Sequence, residues 1–163
     1  MKRRLLLAGL LALPVLPATA EPAEPTAAQP ELPKEKLTIV THDGRRLDFM
    51  VEMALTPAQQ MTGLMFRPAV PADGGMLFDW GTPRPSQMWM RNTVAPLDMV
   101  FINADGTIRA IAENTVPYSE AVIDSRGPVR ATLELAAGTT RRLDIRVGDR
   151  VEQRLFAAPP AGK

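Results

Sequence analysis

Residues 86–102, SQMWMRNTVAPLDMVFI, carry the side chains best suited to chemistry in this chain. Trp89 offers a flat aromatic wall, and Arg91 a guanidinium fork that fits a carboxylate or phosphate. Asn92 and Thr93 add an amide and a hydroxyl, and Asp98 a carboxylate. Gathered at one corner, these groups would hold a small polar or anionic ligand by stacking and directed hydrogen bonds. They also have a plainer use, in which Asp98 pairs with Arg91 to stitch two strand ends while Asn92 and Thr93 satisfy loop backbone. The spacing assigns no residue a catalytic role.

Other chemistries find little material. The absence of cysteine excludes a thiol nucleophile, a cysteine zinc site and a lipid-modified cysteine. Ser86, Ser119 and Ser125 are the only serines, none lies in a Gly-x-Ser-x-Gly elbow, and His42 is the only histidine. Phosphate-loop and dinucleotide glycine patterns are missing, so no cofactor and no metal is expected. Met88 and Met90, two thioethers at strand spacing, raise a Cu(I) carrier as an alternative, set against methionine's ordinary use as adaptable core filling.

The elements that position the corner follow from turn chemistry and periodicity. Leu37–Thr41 and Leu47–Met53 flank Asp43-Gly44, and Leu97–Ile102 and Thr107–Ile111 flank NADG, which predicts two hairpins. Between them, Thr56 as cap, Pro57 at the first helical position and Gln59 as the return half of a capping box start a helix over TPAQQMTGLMF. Met61, Leu64 and Met65 would share one of its faces. Further strands are expected at 75–80, 86–90 and 129–135. After them come a turn with a short helix in AAGTTRRLDI and a closing strand in GDRVEQRLF. The predicted class is mainly β, a β-rich α+β fold: a small barrel or curled antiparallel sheet with one or two short covering helices. If Met90 lies opposite Leu97, the alternation sends Met88, Met90, Leu97, Met99 and Phe101 to one face and Gln87, Trp89 and Asp98 to the other.

The ends differ in kind from this unit. Lys2, Arg3 and Arg4, the apolar run to Pro17 and Ala18-Thr19-Ala20 form a signal-peptide pattern over 1–20, which predicts export to the periplasm or beyond. Residues 21–36, with four prolines, form an expected flexible spacer, residues 37–156 a single folded domain, and 157–163 a flexible tail. The whole chain has 19 Lys and Arg against 18 Asp and Glu; without the three leader cations the balance is about −2. Neither nucleic acid nor, after leader cleavage, a membrane is expected as partner.

Six blocks in order, GLMFR (63–67), GMLFDW (75–80), MWMRNTVAPLDMVFI (88–102), ADGTI (104–108), LELAAG (133–138) and IRVGDRV (145–151), resemble the domain of unknown function 192 family. The likeness covers about residues 36–153. Members often carry Lys where Arg91 stands, which keeps the charge and changes the geometry. The resemblance implies a compact β-rich fold, often exported, without an established activity, and it adds Arg67 and Glu134 to the candidate ligand-binding residues. Periodicity offers both a bland account: Glu134 shares a strand face with Arg130 and Thr132 as a solvated edge, and Arg67 complements a helix end. The leading expectation is a noncatalytic module for a small ligand or an envelope protein. An envelope enzyme acting on glycan, with Asp98 and Glu134 as acid and base, is the alternative from another class.

Overall fold

A computed structural model describes residues 23–156. Its elements run β1 (Lys34–Val40), β2 (Arg46–Ala54), α1 (Pro57–Thr62), β3 (Gly74–Met88), β4 (Leu97–Ile102), β5 (Ile108–Ala112), β6 (Ile123–Ala136), α2 (Thr139–Leu143) and β7 (Arg150–Glu152), ending in a 3₁₀ turn. The seven strands form one sheet in the order β5-β4-β6-β3-β2-β1-β7. It curls until its edges meet. Val151 N–H donates to the Gly106 carbonyl at 2.7 Å and Ile108 N–H to the Asp149 carbonyl at 2.8 Å, across the bridge Thr107–Arg150.

Both hairpins form at their glycines, Gly44 at φ 84° and Gly106 at φ 85°, in the left-handed region where a side chain is costly. The sheet is not wholly antiparallel, since β2 and β3 run parallel. The 19 residues between them, Leu55–Asp73, are long enough for a crossover, and α1 lies within it. The strands expected at 75–80 and 86–90 are one strand. Its ladder with β6 is broken at Asp79/Arg84 and Pro85/Gln87, where Pro83 and Pro85 lack a donor.

Alternation gives the sheet two cores. Leu37, Ile39, Val51, Leu77, Leu133 and Val151 fill the inside of the curl. On its outer face Met76, Phe78, Met90, Met99 and Phe101 pack under Leu64. Each such side chain contributes roughly 1.5–3 kcal/mol by leaving water.

The described part of the stretch expected as spacer is docked. β1 begins at Lys34, not Leu37. Upstream, Gln29 Nε2 donates to the carbonyls of Gln59 (3.0 Å) and Gly63 (2.9 Å), and Leu32 N–H donates to Glu52 at 2.8 Å. Backbone and amide bonding holds this segment despite its poor apolar content. The signal-peptide reading of 1–20 and the tail at 157–163 lie outside the described residues.

Candidate ligand-binding site

β3 ends at Met88, and the chain turns through Trp89 to Thr93, closed by Thr93 N–H donating to the Met90 carbonyl at 3.0 Å with Asn92 at φ 55°. Two segments clamp this corner. Phe66 N–H donates to the Asn92 carbonyl at 2.8 Å, and Met90 N–H to the Ser119 carbonyl at 2.8 Å. The capping box sets where the first segment arrives: Thr56 and Gln59 start α1, and Gly63 ends it. The helix ends at Gly63, whose φ of 48° breaks the helical run and whose bare Cα leaves room for the Phe78 ring, 3.0 Å from where a Cβ would stand; beyond it Leu64 and Met65 are buried. The helix is therefore shorter than the predicted run, and Met61 stays 40% exposed while Leu64 and Met65 are buried.

Trp89 is 45% exposed, and the Arg91 guanidinium lies 4.4 Å over its ring centroid. Beside them is a recess of about 400 Å³, walled also by Met61, Met65, Asn92 and Glu24. Arg91 is already engaged, donating to both Glu120 oxygens at 3.2 Å and to Glu24. It is a bridge between carboxylates rather than an open anion fork. Thr93 is buried, its hydroxyl donating to the Arg91 carbonyl at 3.2 Å.

Below the recess a slot of about 30 Å³ runs between Met61, Met65, Met88 and Trp89 to Glu134. Glu134 is 4% exposed and makes no hydrogen bond among the described residues. No fully enclosed polar side-chain atom among those residues lacks a partner, so the unbonded Glu134 oxygens keep an opening, and the slot provides it. Burial pushes this carboxyl up to about 8, which leaves it mainly protonated at neutral pH. The solvated-edge account of Glu134 thus fails. Arg130 pairs with Asp79 instead, and Glu134 faces Met76 and Met99 across its two ladders.

Asp98 is elsewhere. The register Met90 opposite Leu97 does not form, because β6 lies between β3 and β4. Asp98 is fully buried, pairs across from Leu135, and alternates with Val100 toward the inner core. Its carboxylate accepts from Asn114 N–H (2.9 Å), Gly138 N–H (3.1 Å), Thr140 N–H (2.8 Å) and the Thr140 hydroxyl (2.7 Å). It therefore leaves the shared rim with Arg91. It also leaves the acid–base pair with Glu134, since the two carboxyls point to opposite faces of one sheet. Arg67 sits apart as well, paired with Glu52 through Nη2 at 2.9 Å in another recess of about 470 Å³. For Glu52, burial favours the neutral acid, but the Arg67 and Leu32 hydrogen bonds outweigh it and hold the carboxyl below its ordinary range.

Met88 and Met90 do not form a pair either. Met90 is sealed in the outer core, where the Thr115 hydroxyl donates to its sulfur at 3.1 Å, while Met88 lines the slot. Met61, Met65 and Glu24 belong to the site and were not singled out from sequence. The MxxxM spacing across a capped helix end was the available signal for the methionines. Glu24 lies in low-complexity sequence that carries none.

A family model described as an uncharacterized ACR, DUF192, matches residues 38–153. A protein of unknown function from Novosphingobium aromaticivorans DSM 12444 superposes with a TM-score of 0.73 at 39% identity, covering 83% of this chain and 99% of its own. A Sinorhizobium meliloti 1021 protein, provisionally described as a transcription regulator, superposes with a TM-score of 0.74 at 53% identity, covering 77% of this chain and 97% of its own. No curated protein matches the chain significantly.

Proposed function

The chain belongs to the DUF192 family, whose activity is unassigned, and on that premise we propose that it is a noncatalytic binding module, exported to the periplasm or beyond, whose small ligand enters beside Trp89. One observation carries the reading. An unpartnered buried carboxyl, Glu134, lies at the foot of a slot whose mouth is an exposed indole. A buried polar group without a partner costs roughly 1–3 kcal/mol, and a ligand that supplies the partner recovers that cost on binding.

The surroundings favour a neutral or cationic guest over an anion. Glu24 and Glu120 already occupy Arg91, and an anion would have to displace them. The transcription-regulator description of the Sinorhizobium meliloti relative is not carried over, because acidic groups at the corner and a net charge of about −2 after leader cleavage suit nucleic acid poorly. The test is a thermal-shift and tryptophan-emission screen of amines, amino acids, muropeptides and metal cations. At least one compound should stabilise the protein and shift its emission, and Trp89→Ala should abolish both effects while moving the unliganded melting temperature little. A screen without responses, or responses unchanged in Trp89→Ala, would overturn the reading.

A further inference from the structure

This inference rests on the binding reading and names the ligand. We propose that the slot is a site for a soft monovalent cation, Cu(I) or Ag(I), held by the thioethers of Met61, Met65 and Met88 beside Trp89, with Glu134 supplying the balancing charge.

Size comes first. About 30 Å³ has room for a water or a bare ion, while an organic guest would sit in the larger recess beside Trp89 and reach Glu134 only with a small terminal group. Donor chemistry then discriminates among ions. The slot is lined by three methionines, Met61, Met65 and Met88, and by Glu134, with Gln60, Thr62 and Thr93 as the other polar side chains and no histidine among them. Hard cations require six or more oxygens and would be under-coordinated here, whereas thioether sulfur selects Cu(I). Charge selects valence. A +1 cation that displaces the Glu134 proton to solvent leaves the site as neutral as the protonated acid was, while a divalent ion would leave net charge in a buried site. Coordination involves no electron transfer, so no redox partner is needed.

Met61 also differs from the chain's packing methionines. Met76, Met90 and Met99 are fully buried in the outer core, but Met61 is 40% exposed at the mouth of the recess. Two stretches bring these methionines to the slot: α1 and the Gly63 turn that ends it carry Met61 and Met65, and the end of β3 carries Met88. The neighbouring indole is already shown to accept a cation, since the Arg91 guanidinium stacks over it.

The test titrates the purified protein with silver nitrate in chloride-free buffer, followed by calorimetry and tryptophan emission. Cu(I) is then titrated anaerobically against a chromophoric chelator. One equivalent should bind. Met61→Leu, Met65→Leu and Met88→Leu should each weaken binding about tenfold, and the triple variant more than a hundredfold, with little change in melting temperature because Leu nearly conserves volume. Glu134→Gln should also weaken binding at least tenfold. Met61→Leu, at a half-exposed position, keeps the test decisive if the triple variant fails to fold. No silver binding, or binding unchanged in Met61→Leu and Met88→Leu, overturns the inference. If silver fails while an organic compound shifts emission in a Trp89-dependent way, the metal inference falls and the binding module stands. If neither acts, both fall.

Discussion

One carboxylate, Asp98, accepts from four donors, three backbone amides and one hydroxyl, on two stretches of chain, and is sealed from water. Replacing it by Ala strands those donors, so Asp98→Ala should cost more than about 3 kcal/mol in denaturant unfolding, with Asn intermediate; a loss below about 1 kcal/mol would refute the role. Glu134 acts in the opposite sense. Its carboxyl titrates near 8 when folded but in the ordinary carboxylate range when unfolded. Between those values unfolding releases a proton, so stability falls as pH rises through that window, by a few kcal/mol in all, and the cost is absent below it. Glu134→Gln should therefore be more stable than the native chain by a margin that grows from about pH 5 to pH 8 and vanishes near pH 4. Parallel stability curves for the two would contradict it. Both acids were visible as candidates in the sequence. Their roles were not, because strand alternation gives a side chain's parity without saying which faces are covered.

At the level of elements, local signals were legible where a short-range rule decides. Thr56, Pro57 and Gln59 start α1, and the Gly44 and Gly106 turns join their strands. The two glycines share nearly the same φ but differ in neighbours. A Cβ on Gly44 meets nothing within 4 Å, while one on Gly106 would lie 2.6 Å from the Val151 carbonyl oxygen, at the seam where the curl closes. Gly44→Ala should cost about 1 kcal/mol. Gly106→Ala should cost clearly more and speed hydrogen exchange at the Ile108 and Val151 amides; equal penalties would show that the seam contributes nothing. Where an element's end depended on a distant side chain, sequence reasoning overran it. The expected helix ran past Gly63, whose positive φ ends it and whose bare Cα lies against the Phe78 ring of β3, a neighbour from another element.

For the molecule as a whole, the docked segment before β1 is a structural part. It satisfies carbonyls at the end of α1 through Gln29 and one Glu52 oxygen through the Leu32 amide, and Glu24 walls the recess. A chain beginning at Lys34 should melt several degrees below one beginning at Ala23 and lose Trp89-dependent ligand responses; coincident melting curves would return this segment to a passive tether. By itself the sequence determined the strand-rich class, the two hairpins, the helix start and the family, since each rests on neighbours a few residues apart or on ordered motif blocks. Only the tertiary structure decided that β6 enters between β3 and β4. That insertion separates Asp98 from Trp89 and brings Glu134 to the slot beside the indole, where the α1 segment delivers Met61 and Met65 and the end of β3 delivers Met88. Strand order is set by which buried faces fit together across the closed curl, and no local run of residues encodes it.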